Sequence, residues 1–218
     1  MRKIFDEELE ELFDHLTSLG NAANESVHKS LRAYNTRDKE LANELFSDDL
    51  RINADTMEIE QAAYRLIVLQ QPVASDLRMI FAVLHASSDI ERIADHAVSI
   101  ARAVIRRDEN EVDVPRLDDK INKMGELVSS MITDVVTAFR HRDVKLAKEI
   151  ASRDDEVDNL RREIAKETTK RMEDDTDVVV SGLTYMNVSS RLERIGDYVT
   201  NICERILYLE TGELTELN

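Results

Sequence analysis

The sequence predicts an all-α protein made of two tandem, pseudo-symmetric three-helix bundles, and three observations carry that expectation. Turn-forming residues are scarce, apolar residues recur at alternating spacings of four and three, and the chain repeats itself at a nearly fixed offset. Only five glycines and two prolines occur in 218 residues, while 34% are charged and 42% hydrophobic. Many Glu, Lys, Arg, Leu and Ala with few turn-formers favour long helices and few loops. The apolar fraction suffices for a core, which excludes a disordered acidic chain.

The repeat comes first, because it fixes the plan. Gly20 falls on Gly125, Leu16 on Ile121, Tyr34 on Phe139, Arg37-Asp38 on Arg142-Asp143 and Glu58-Ile59 on Glu163-Ile164, an offset of 105 residues. Beyond the middle of each copy the offset becomes 102, as Ser87-Ser88 meets Ser189-Ser190 and SDIERIADHAVSIA meets SRLERIGDYVTNIC. The three-residue difference lies where QQPVASD opposes EDDTDVV. Length changes gather in loops, so a loop is expected there in both copies.

Each copy resolves into three helices. Phe5, Leu9, Leu12, Leu16, Leu19 and Ala23 form the seam of the first, as Leu117, Ile121, Met124, Val128, Met131, Val135 and Ala138 do in the second copy. Such a seam belongs to a helix packed lengthwise in a bundle. A second helix is expected over about residues 38–70 and 143–172, and a third over about 74–107 and 177–211. Pro72 falls in the turn between the second and third helices, where no helix interior is interrupted. Pro115 follows the polar joint RRDENEVDV. The expected organisation is a repeat over residues 1–108 and another over 109–218, each an up-down bundle.

Asp and Glu outnumber Lys and Arg by 45 to 29, for a formal net charge of −16. Nucleic-acid partners are disfavoured, since phosphate contacts need cations, and so is an anionic membrane surface. No segment reaches the roughly 18 apolar residues of a spanning helix. The opening MRKIFDEELEEL lacks the apolar stretch of a signal peptide. A cytoplasmic protein without direct membrane insertion is expected. Cys203 is the only cysteine and sits among Ile202 and Ile206, so a buried thiol is expected and an intrachain disulfide is excluded.

Candidate functional residues lie on the second and third helices. Glu91 and Asp95 are four apart, hence neighbours on one helical face, and Glu193 and Asp197 repeat the pair. Asp49 with Asn53, and Asp154 with Asp158, offer the same spacing on the second helix. Antiparallel neighbouring helices would bring each two pairs together as an oxygen-rich cluster. Such donors suit hard or borderline cations such as magnesium, manganese, calcium or iron. An ordinary solvated acidic face, with Arg92 and Arg194 pairing the carboxylates, is the competing reading. His85, Asp89 and His96 also share a stripe, but the second copy has Asn187, Arg191 and Tyr198 there, so the duplication does not support a zinc site. No Gly-rich phosphate loop, nucleophile elbow or cysteine pair occurs. A non-enzymatic protein is expected, and a metal-dependent carboxylate-bridged enzyme or a metal-storage protein is the alternative.

At QQPVASDLRMI, SSDIERIADHA and SSRLERIGDYVTNICE the sequence resembles the PhoU family of phosphate-uptake regulators, over nearly its whole length. The resemblance implies a negative regulator of the phosphate regulon and of phosphate uptake, serving phosphate homeostasis. Its implied partners are the ATPase of the phosphate importer and a sensor histidine kinase, with the protein as adaptor, and a homodimer. It also implies metal ions, iron, zinc, manganese or magnesium, held as clusters by Glu91, Asp95, Asp49 and Asn53, and by Glu193, Asp197, Asp154 and Asp158. Asn53 stands where the second copy has Asp158, which makes the first site the weaker, and Ala94 stands where the second has Gly196. Direct phosphate binding is not expected at so acidic a surface unless a metal bridges it.

Overall fold

A computed structural model describes residues 2–108, 111–213 and 215–217. Among them there is no strand. The elements are α1 (Arg2–Thr36), α2 (Lys39–Gln70), α3 (Ala74–Arg106), α4 (Pro115–His141), α5 (Val144–Ala151), α6 (Asp154–Asp174) and α7 (Val179–Thr211), with a 3-10 turn at Thr176–Val178 before α7. Helices α1, α2 and α3 pack on one another, as α4, α5, α6 and α7 do, and the two sets meet through α3 on α7 and α1 on α4. The protein is all-α, as the sequence predicts.

Local chemistry sets the boundaries in the same way twice. Arg37 (φ 54°) and Arg142 (φ 55°) take the left-handed conformation that ends α1 and α4. The next residue caps the following helix: Asp38 Oδ1 accepts from the Leu41 N–H at 2.9 Å, and Asp143 Oδ1 from the Leu146 N–H at 3.0 Å. A side-chain oxygen there satisfies a donor that the first helical turn leaves free. Gln71 ends α2 ahead of Pro72, and Pro115 opens α4, where its missing N–H is not needed.

All the expected seam residues of α1 and α4 are buried, and one cluster of buried side chains runs through both copies. Equivalent positions touch each other across it. A Cβ on Gly20 would sit 2.4 Å from Val136 Cγ2, and one on Gly125 would sit 2.5 Å from Leu31 Cδ1. These are one contact seen from both sides of a pseudo-twofold axis, since Leu31 and Val136 are themselves equivalent. On the other face His96 meets Tyr198, with ring centroids 5.6 Å apart. Equivalent residues in contact mark where that axis crosses between α3 and α7.

The copies differ in two ways that bear on the site. Helix two of the second copy, expected unbroken over about 143–172, is divided: Ser152 and Arg153 form a tightened turn, with the Arg153 N–H bonded to Ile150 O at 2.9 Å. Three-residue spacing inside a four-residue ladder re-aims the chain from Asp154 onward. An ion pair beside this turn also changes sign between copies. Lys29 on α1 holds Asp48 on α2 at 2.8 Å, whereas Asp134 on α4 holds Arg153 at 2.5 Å.

The joint between the copies is pinned. Arg107 is buried, with its guanidinium 5.5 Å from the Tyr34 ring centroid, and it pairs with Glu111 at 2.8 Å and Asp113 at 2.7 Å. The Tyr185 hydroxyl accepts from the Val114 N–H and donates to Asp118 Oδ1, both at 3.0 Å.

Candidate functional site

The carboxylates singled out by spacing lie beside the core, on the sides of α3 and α7 that face α2 and α6. On α3 the buried stripe is Ile90, Ile93, Ala94, Ala97 and Ala101. Glu91 and Asp95 stand next to it, half-buried. On α7 Leu192, Ile195, Gly196 and Val199 are buried, and Glu193 and Asp197 occupy the same border.

The second-copy residues come together. Asp154 is 8% exposed, and its proton affinity is pushed up to about 7 by burial first and then by Asp197, Asp158 and Glu193. Three negative neighbours thus act on one buried carboxyl. Glu193 and Asp197 are likewise raised, chiefly by burial, with Arg161 and Arg194 respectively as the leading opposing cations. In the first copy Asp49 is raised by burial and by Asp95. Glu91 is raised by burial, then by Asp95, Glu60 and Asp49.

Several oxygens in these clusters have no hydrogen-bond partner although they are buried: Asp154 Oδ1, Asp49 Oδ1 and Asn53 Oδ1. A buried acceptor left open is costly, and a cation is the natural partner for an acceptor beside other carboxylates. Three of the other heads are turned to arginines. Arg92 meets Asp95 at 2.9 Å, Arg194 meets Asp197 at 3.2 Å, and Arg161 lies 3.6 Å from Glu193. Accordingly, among the described residues no three His, Cys, Asp or Glu side chains stand as a set that would hold an ion. The donor types themselves would suit a hard cation.

Gly196 distinguishes the second cluster from the first. A Cβ at this position would sit 2.3 Å from Asp154 Oδ1, so the glycine is what lets the carboxyl reach α7. Ala94 stands at the equivalent position of α3, and Asp49 is only half-buried. Spacing alone did not reveal Gly196, Glu60 or Arg161. Glu60 lies two turns beyond Asn53 on the same face of α2, so extending the stripe would have found it, although its second-copy equivalent is Ala165. The expected buried thiol of Cys203 is confirmed, and burial pushes it up to about 12.

The chain matches the family model for the PhoU domain twice, over residues 16–104 and 121–206, so the match repeats the internal offset. It is 38% identical over 218 residues to the phosphate-specific transport system accessory protein PhoU homolog of Streptococcus pneumoniae serotype 4, covering 100% of both chains. It is 39% identical over 219 residues to the homolog of that name from Clostridium acetobutylicum, covering 100% of this chain and 99% of the relative. The crystal structure of the phosphate transport system regulatory protein PhoU from Streptococcus pneumoniae superposes with a TM-score of 0.91 at 36% identity, over 97% of this chain and 99% of that one. PhoU from Pseudomonas aeruginosa gives a TM-score of 0.91 at 32% identity, over 96% and 100%.

Proposed function

The chain belongs to the PhoU family, and from that premise we propose that it is an accessory protein of a phosphate-specific transport system. In this reading it is a cytoplasmic negative regulator, an adaptor between the importer's ATPase and a sensor histidine kinase. The observation that carries the reading is similarity over the full length of both chains to accessory proteins of that system. The helices support a docking role: among the described residues none is long and apolar enough to cross a membrane, so access to a membrane complex has to go through a partner's exposed part. No bond-making step is assigned to the carboxylate clusters.

Asp154, Asp158, Glu193 and Asp197 would hold the better-bound metal, and Asp49, Asn53, Glu91 and Asp95 the weaker. The cation would neutralise carboxylates that otherwise repel. Around it the chain's own residues set the site: Gly196 admits Asp154, and Arg161 and Arg194 compete for Glu193 and Asp197.

Two measurements test this. In phosphate-replete cells, deleting the gene should switch on a phosphate-starvation reporter, and the intact chain should silence it again and co-purify with the ATPase and the kinase. A reporter indifferent to deletion would sink the regulatory role. Metal analysis of protein purified without added metal should show less metal in Glu193→Ala/Asp197→Ala, and an unchanged content would remove the second-copy site.

A further inference from the structure

Between the C-terminal half of α3 and the start of α7 runs a groove of about 410 Å³. Arg102, Arg106 and Arg191 line it, with Asn187 and Thr184 beside them and Leu183 on one wall. In a chain of net charge −16 such a cluster needs a cause. None of the three arginines forms an ion pair among the described residues. Among the described residues the one carboxylate lining the groove, Glu111, is already paired with Arg107. Asp49 feels Arg102 at a distance without pairing, and the Arg102 guanidinium lies 5.7 Å from the Phe46 ring centroid. Arg191 Nε is buried with no acceptor.

The fold does not require these charges. At the offset of 102, Arg191 corresponds to Asp89, Arg102 to Glu204 and Arg106 to Tyr208. At the equivalent end of the α3–α7 seam the one arginine at this level, Arg205, also has a buried Nε without an acceptor, but it faces an acid: it acts on Asp89, which hydrogen-bonds Asn201. One duplicated surface thus carries acids at one end and arginines at the other. Arg102 and Arg106 are moreover four apart on one helix, a spacing at which like charges destabilise it. Arg106 gains from the negative end of α3, but Arg102 and Arg191 have no such compensation.

We propose that this groove binds a small ligand carrying phosphoryl groups. Arginine presents a planar fork of donors that matches phosphoryl oxygens two at a time. The volume falls in the usual range of small-molecule sites. The charge is focused at one place and not spread along a track. Towards the middle of the seam Arg92 and Arg194 are already paired with Asp95 and Asp197, so a long acidic peptide would find no continued complement. Asn187 and Thr184 add neutral hydrogen-bonding groups, and Leu183 offers an apolar wall to an organic body. The local surface is thereby the opposite of what net charge led the sequence to suggest. Because the groove alone carries this inference, it stands or falls separately from the regulatory role and from any metal.

Calorimetric titration of the intact chain, in metal-free buffer at low salt, tests it with four probes. Orthophosphate, tripolyphosphate and ATP separate inorganic, condensed and nucleotide sources of the same chemistry, and citrate supplies similar charge without phosphorus. Binding of at least one phosphoryl probe is expected, tighter than citrate, and at least tenfold weaker in Arg191→Gln. The exposed pair Arg102→Gln/Arg106→Gln should weaken it comparably, so the outcome does not hang on one half-buried side chain. Lys166→Gln/Lys170→Gln, in the separate basic cleft between α4 and α6, should leave it unchanged. No phosphoryl binding at millimolar probe, citrate binding equally well, or loss only in the lysine variant would each overturn the proposal.

Discussion

Asp154 shows how a single side chain can be placed by a residue on another helix. Its carboxyl is admitted by Gly196 and lies in the negative field of Asp197, Asp158 and Glu193. With a value of about 7 in the fold against 3.8 ordinarily, the protonated form is the one the fold prefers. Without metal, its contribution to stability is therefore full below the ordinary value and is lost as pH rises through about 7. Metal-free protein should melt at a lower temperature at about pH 8 than at about pH 5. Asp154→Asn should flatten that difference and stabilise the metal-free fold by about 1–3 kcal/mol at the higher pH; a variant with the wild-type pH profile would refute this. Gly196→Ala should cost about 1–3 kcal/mol through overpacking and lower metal retention towards that of the first copy. The pairs four apart were legible in the sequence because helix geometry alone makes them neighbours. The burial of Asp154 was not, because a missing Cβ on α7 decides it.

At the level of elements, the long helices and their core faces followed from spacing, since seams such as Leu12-Leu16-Leu19 have one apolar side to hide. The caps at Asp38 and Asp143 coincide with the Arg-Asp breaks visible in both copies. The division of α5 from α6 escaped, because Ser152 and Arg153 are compatible with a helix and only the pull of Asp134 on Arg153 and the seating of Asp154 accompany the tightened turn. The α1–α4 contact is set by the two equivalent glycines, and their surroundings differ. Val136, stiff at χ1, faces Gly20, whereas the more adaptable Leu31 faces Gly125. Alanine gains about 1 kcal/mol of helix propensity at either position, so overpacking decides the sign. Gly20→Ala should lower the thermal midpoint clearly, and Gly125→Ala should lower it less. The reverse order in a melting experiment would mean that Leu31 is the more tightly held neighbour.

For the molecule as a whole, the duplication was readable from end to end, and with it the plan of two tandem helix sets; the pseudo-twofold axis between them comes from the structure. Which faces meet across that axis was not readable, because the exposed sides of these amphipathic helices give no pairing rule. The contact of His96 with Tyr198 and the run of arginines along one end of α3–α7 emerge only when the copies are laid together in space. Duplication also brings a hazard during folding. A chain holding two similar middle helices can dock either one on either first helix, and misassembly of this kind is a characteristic failure of repeated sequences. The reversed ion pairs act as address labels against it. Lys29 accepts Asp48 and would repel Arg153, while Asp134 accepts Arg153 and would repel Asp48. Each native pair, being partly exposed, is worth only about 0.2–1 kcal/mol, but an exchange would forfeit both and set like charges together twice. Lys29→Asp/Asp48→Arg, which gives both copies the same label, should keep nearly native stability while refolding from denaturant with a lower yield of native, unaggregated protein. Equal yields would show that the labels are not read.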